Sequence, residues 1–174
     1  MTSPVPLLAI AAYSGTGKTT LLTQLIPLLK AFGIRVGMIK HTHHDMDIDT
    51  PGKDSYRLRK AGAEQTLVAS ANRWALMTET PAQSQPDLAW LTSRMDRTKL
   101  DLVLVEGFRH EKIPKIVLYR QETGHDVATL IDDDTLAIAS DVPVDVSVPQ
   151  LDLNHPPAIA EFIRRWLDAR QSFL

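Results

Sequence analysis

The chain has 174 residues, enough for one domain with a full hydrophobic core. Hydrophobic residues make up 44%, charged residues 23%, and the net charge is −2, so it reads as soluble and globular, with nothing to suggest a general binder of nucleic acid or membrane surfaces. It has no cysteine, which excludes a disulfide framework and a thiolate metal site and is compatible with a cytoplasmic protein. The stretch opening at Met1-Thr-Ser-Pro lacks a basic region, and its apolar continuation leads straight into a glycine-rich loop, so it is expected to be core strand and not signal peptide. No apolar run reaches membrane-spanning length.

Pro6-Leu-Leu-Ala-Ile-Ala-Ala12 has the length and composition of a buried strand. It feeds into Ala12-Tyr-Ser-Gly-Thr-Gly-Lys-Thr19, and Thr20-Leu-Leu-Thr-Gln-Leu-Ile continues as a helix. Strand, small-residue loop, Lys-Thr and helix make a phosphate-binding loop. The strict pattern opens with glycine; Ala12 stands there and is small enough to be tolerated. The backbone of Ser14 to Thr20 (Ser14, Gly15, Thr16, Gly17, Lys18, Thr19 and Thr20) is expected to wrap the phosphates, because amides there must point inward and the first helical turn has unpaired N–H groups. Lys18 is placed as a point charge on the β- and γ-phosphates, and the Thr19 hydroxyl as a Mg²⁺ ligand.

The helix after the loop presents Leu21, Leu25, Leu28, Leu29 and Phe32 at helical spacing. Pro27 lies inside it and predicts a kink or an early end. Ile34 to Lys40 follows as a strand. The polar segment His41–Asp54 leaves three readings open: a plain loop, a separate metal site built on His41, His43, His44 and the aspartates, or a switch loop reaching the γ-phosphate and its Mg²⁺ shell, with Asp49 as the candidate. It is not an EF-hand: Thr50 and Tyr56 replace the turn glycine and the bidentate glutamate. A short helix over 53–61 carries Arg57, Arg59 and Lys60. Glu64 to Ser70 and Trp74 to Thr78 read as two strands of a hairpin.

Asp87 to Met95 is expected to be helical, with Leu88, Leu91 and Met95 on one side and Trp90 packing. Leu102 to Val105 is a continuous apolar run, as a central strand covered on both faces requires. It ends in Glu106-Gly107, where a nucleotide hydrolase puts a Mg²⁺-linked or water-directing carboxylate; Lys18 and Glu106 are therefore the catalytic candidates. Asp101, at the strand's other end, is read as structural. Arg109, Lys112 and Lys115 form a basic stretch beyond it. Lys115 to Tyr119 and Thr135 to Asp141 are further strands, and Asp141 is the candidate reader of a guanine base, although no Asn-Lys-x-Asp pattern surrounds it. Ile159, Phe162, Ile163, Trp166 and Leu167 form the apolar face of a last helix. The whole predicts one α/β domain over 1–174, P-loop NTPase-like, with a mainly parallel sheet flanked by helices and a projecting hairpin.

With these motifs placed, the chain resembles the MobB family nearly end to end. The most specific part runs from Lys40 through the His/Asp segment to Arg59 and on to Ala61-Gly-Ala63; Leu102-Val-Leu-Val-Glu-Gly-Phe108 and the P-loop match too. Met46 and Leu58 depart from the expected aromatic and histidine. The resemblance implies a homodimeric GTP-binding protein with Mg²⁺ and weak GTPase activity. It further implies an adaptor in molybdopterin guanine dinucleotide synthesis and a partnership with the MobA-type guanylyltransferase and other molybdenum cofactor proteins; the charge and the lack of long apolar runs, not the resemblance, are why no nucleic acid or membrane is expected as a partner. The residues alone reach only a P-loop nucleotide binder with Mg²⁺. They leave a phosphotransferase with a small-molecule acceptor as the rival, with Arg57, Arg59 and Arg109 as lid candidates but no evident base. Without a placed glutamine or arginine finger, groups that carry factors of roughly 10³–10⁵, hydrolysis is expected to be slow.

Overall fold

The computed structural model describes residues 5–42, 47–81 and 85–171. These fall into two compact units, Met1–His41 with Asp87–Leu174, and Thr42–Pro86.

The larger unit is a six-stranded parallel sheet in the order β2-β5-β1-β6-β7-β8, made of β1 (Leu7–Ala11), β2 (Val36–Lys40), β5 (Leu102–Glu106), β6 (Lys115–Tyr119), β7 (Thr135–Ser140) and β8 (Gln150–Asp152). The chain alternates faces along each central strand. Leu8, Ile10, Leu102, Leu104, Ile116 and Leu118 join α1 (Lys18–Ala31) and α4 (Pro156–Gln171) in one core. Ala9, Val103 and Val105 point the other way, onto Leu88 of α3 (Leu88–Ser93) and Phe108. Val117 and Ile138 continue that second layer over Leu130. Continuous apolar runs are thus what a doubly covered parallel sheet demands. Asp87 caps α3, its carboxylate accepting the Trp90 N–H at 3.0 Å.

Three local expectations need correcting. Helix α1 does not end early at Pro27 but continues to Ala31, because Pro27 sits on the exposed side while Leu25 and Leu29, both fully buried, hold the helix to the sheet. Phe32 closes that helix as its C-terminal cap and is 45% exposed, so it is no part of the apolar face; Arg164 lies over its ring instead. Strand β8 went unanticipated: three residues flanked by turns carry too little periodicity to announce a strand. Asp101 is structural, as expected, its carboxylate accepting the Arg35 Nε and Nη2 at 2.9 and 2.7 Å.

The smaller unit holds α2 (Asp54–Lys60) and the antiparallel hairpin β3 (Gln65–Ala69) and β4 (Trp74–Thr78). The hairpin forms its own two-stranded sheet. Leu67 faces Leu76 across it, and Trp74 lies on the same side two residues along; all three are exposed.

Candidate functional site

Because all six strands of the larger unit run the same way, their carboxyl ends share one edge. Strand β1 sits between β5 and β6, and the chain leaves β1 for β2 on one side while β6 lies on the other. A parallel sheet opens a ligand crevice where the order reverses in this way. Residues 12–20, Glu106 and Asp141 all stand at this edge.

The loop between β1 and α1 takes its shape from two left-handed residues, Gly15 at φ 83° and Gly17 at φ 96°, a region that side chains strongly disfavour. A Cβ on Gly15 would meet nothing within 4 Å, so the backbone there faces open space. Thr16 between them is buried, and its hydroxyl donates to the Tyr13 carbonyl at 2.9 Å, closing the loop on itself. Gly17 caps α1 with no side-chain acceptor on the helix N-terminus, and the first turn holds no acid. The free N–H groups and positive dipole end are therefore left for an anion. Ser14, Thr19 and Thr20 are exposed around the loop.

Lys18 Nζ donates to the Ala12 carbonyl at 3.5 Å and lies 3.8 Å from Glu106 Oε1. Lys40, at the end of β2, reaches the same carboxylate oxygen at 4.0 Å. The Glu106 side chain is only 12% exposed, so it is a shielded acid between two cations. Its neighbour Gly107 adopts φ 91°, and a Cβ there would come within 2.7 Å of the His41 carbonyl oxygen. The His41 N–H donates to the Glu106 carbonyl at 2.9 Å, and the His41 and Phe108 rings stand 5.3 Å apart. Glycine is the residue that lets β5 end beside β2 this closely.

Asp141, just past β7, is held: Oδ1 accepts the Gln121 N–H at 3.0 Å, and Arg120 Nη1 lies 3.7 Å from Oδ2. Arg120 also donates to the loop, Nε to the Thr16 carbonyl at 3.2 Å. Sequence reasoning missed Arg120; the available signal was a charged residue directly after a buried strand, the same signal that identified Glu106. Tyr13 makes a further cluster, with its ring 3.8 Å from that of His125, its hydroxyl 2.7 Å from Thr129 Oγ1, and the Arg109 guanidinium 5.2 Å from its ring centre.

Asp49 lies in the smaller unit. Its oxygens accept from Arg59, Oδ1 from Nη2 at 2.8 Å and Oδ2 from Nε at 3.5 Å, and Arg59 also engages Asp47 and Glu79. Those hydrogen bonds hold the Asp49 carboxyl below the usual carboxylate range and raise the Arg59 guanidinium. Asp49 is thus ion-paired with Arg59, as Glu106 is with Lys18 and Lys40. Arg59 is ion-paired in the smaller unit, and Arg109 lies over the Tyr13 ring in the larger one. His43, His44 and Asp45 lie outside the described residues; among those described, no cluster of three or more metal-ligating side chains occurs. Among them, too, no helix is long and apolar enough to cross a membrane.

A protein-family model described as molybdopterin guanine dinucleotide synthesis protein B matches residues 7–141. The chain is 62% identical over 164 residues to the molybdopterin-guanine dinucleotide biosynthesis adapter protein of Escherichia coli K12, covering 94% of each. It is 50% identical over 167 residues to that of Haemophilus influenzae, covering 96% of this chain and 92% of the relative. Among solved structures, molybdopterin-guanine biosynthesis protein B superposes with a TM-score of 0.75 at 28% identity, over 92% of this chain and 99% of that one. A homologue from Bacillus stearothermophilus gives 0.72 at 25% identity, over 94% and 98%.

Proposed function

The chain belongs to the MobB family, and from that premise we propose that it is a GTP- and Mg²⁺-binding adaptor in molybdopterin guanine dinucleotide synthesis. The observation that carries the nucleotide part is the uncapped, acid-free start of α1 behind two left-handed glycines, with Lys18 and Glu106 side by side at the same edge. In the proposed complex the phosphates lie over the amides of residues 14–20. Lys18 leaves Glu106 for the phosphate oxygens, which are the stronger anion. Glu106 then loses one of its two cations. The donor set that remains, the Thr19 hydroxyl and the Glu106 carboxylate, is hard oxygen chemistry of the kind that suits Mg²⁺. When bound, the ion would neutralise phosphate charge. Asp141 is the proposed partner of the guanine N–H groups, since a carboxylate oxygen accepts more than one hydrogen bond and Oδ2 has only the longer Arg120 pair.

With neither a placed glutamine nor an assured arginine finger in the sequence, turnover is expected to be slow and binding to be the main role. The names of the relatives support the adaptor role, and a guanylyltransferase of the same synthesis is the proposed partner. A second copy of the chain is the proposed occupant of the hairpin surface that carries Leu67, Trp74 and Leu76. Light scattering that found only monomer at working concentrations would refute the dimer.

Calorimetry with GTP and ATP in the presence of Mg²⁺ tests the central reading. Wild type should prefer GTP, and Lys18→Ala should weaken it by roughly 100-fold, as expected when hydrogen bonds to charged groups are lost. Equal affinity for ATP would sink the guanine assignment. Turnover that required an added acceptor would favour a phosphotransferase.

A further inference from the structure

Arg120 follows β6 directly and joins the ends of three neighbouring strands. Its Nε holds the Thr16 carbonyl of the loop after β1 at 3.2 Å. Its Nη1 lies 3.7 Å from Asp141 after β7, and the next residue, Gln121, donates its backbone N–H to the other oxygen of the same carboxylate. A longer pair with Glu122, at 3.9 Å, is the remaining ionic contact. Nη2 stands 3.8 Å from where a Cβ on Gly17 would be. Arg120 also borders a cleft of about 210 Å³ together with Gly17, Thr20, Gln24 and Asn154, so it works beside open space and not within the core.

We propose that Arg120 is a positioning residue for nucleotide binding, one that sets the phosphate loop and Asp141 against each other so that the two ends of the site form together. The proposal rests on the P-loop nucleotide reading given above. Its physical basis is the peptide between Thr16 and Gly17. That unit is planar and trans, so its C=O and N–H point in opposite directions. A donor fixed on the Thr16 carbonyl therefore aims the Gly17 N–H. The loop needs such a hold, because glycines on both sides of Thr16 leave its peptides freer to turn than any other residues would. The planar guanidinium can bond the carbonyl with one edge and face the carboxylate with another, which a lysine ammonium on one flexible stem cannot do together.

The test is a double-mutant cycle on the full chain, with Arg120→Met, Asp141→Asn and both together, read by calorimetry in Mg²⁺ with GTP and with inorganic tripolyphosphate. Thermal melting of the unliganded proteins checks folding. Arg120→Met should weaken both probes, GTP by roughly tenfold or more, as for a lost bond to a charged donor. Asp141→Asn should weaken GTP alone. The combined loss for GTP should fall short of the product of the single losses by about threefold or more, the size expected for residues in one network. Arg120→Lys should bind GTP nearly as poorly as Arg120→Met, and it carries the cycle if the methionine variant does not fold. Losses that multiply, full recovery by lysine, wild-type affinity in Arg120→Met, or wild-type GTP affinity in Asp141→Asn would each overturn the proposal while leaving the nucleotide site intact. A wild-type protein that bound neither probe would overturn the P-loop reading, and this proposal with it.

Discussion

The two units of this molecule are held together by different physics. Every buried apolar side chain among the described residues belongs to the larger unit, where both faces of the parallel sheet are covered. The smaller unit has none. It relies on the backbone ladder of β3 and β4 and on one guanidinium, Arg59, gathered by Asp47, Asp49 and Glu79. Among the described residues, six of the large exposed apolar side chains are there: Ile48, Leu58, Leu67, Val68, Trp74 and Leu76. A chain can thus carry a large, solvent-excluding unit that positions chemistry and a smaller one that leans on charge pairing. Two-stranded sheets without a covered face are marginal on their own.

The contrast can be broken at its strong side first. Leu104 is fully buried in the centre of β5, and Leu104→Ala should destabilise the larger unit by about 2–5 kcal/mol, read as a lowered urea midpoint. A cost under about 1 kcal/mol would mean that the sheet is not the cooperative core described. Next, Arg59→Met should speed hydrogen exchange of the β3 and β4 amides roughly fivefold while leaving β1 and β5 unchanged, because a charge network and no apolar core is being removed. Equal acceleration in both units would show that they unfold as one.

Acid sharpens the same distinction. The Asp49 carboxyl is lowered in the folded state, so it binds protons less readily there than in the unfolded chain. Its stabilising effect is complete above the ordinary aspartate value, near pH 4, and is lost as the pH falls below that value through the folded one. Proteolysis at graded pH should cut the smaller unit first, at a higher pH than the sheet. Cleavage in the opposite order would contradict the ledger of forces just drawn. The smallest effect belongs to α4, where Glu161 accepts from Arg164 and Arg165 and has its pKa lowered to about 2. Glu161→Gln should move the melting temperature by no more than about 2 °C near neutral pH, since exposed pairs one helical turn apart contribute little.

The same contrast explains what could be read in advance. Leu102 to Val105 announced a central strand because a doubly covered strand has to be apolar at every position, and the Gly15–Gly17 pair announced the loop because only that chemistry tolerates the backbone. Lys18, Glu106 and Asp141 came out at one edge because parallel strands leave no other place for their carboxyl ends. The partner of Asp49 was not legible: nothing in the spacing of Asp47, Asp49, Arg59 and Glu79 distinguishes an ion cluster from a metal shell, since both use the same carboxylates. The place of Arg120 after a buried strand was open to the same reading as Glu106, but its partners were not. Its contact with Thr16 spans 104 residues and depends on the sheet order, which local pattern does not encode. Pro27 misled because propensity was weighed without the burial of Leu25 and Leu29, which overrides it.

Among the described residues, strands β3 and β4 pair only with each other, so each presents an outer row of backbone donors and acceptors with no strand beside it. Neither Gln65-Thr-Leu-Val-Ala69 nor Trp74-Ala-Leu-Met-Thr78 contains a charge or a proline, and their register is unbroken by a bulge. Those are the devices by which edges are normally blunted against joining other chains. The hairpin is therefore an aggregation template as well as a surface. Concentration, and not loss of the core fold, is the condition expected to set when this protein precipitates, which light scattering across a concentration series checks.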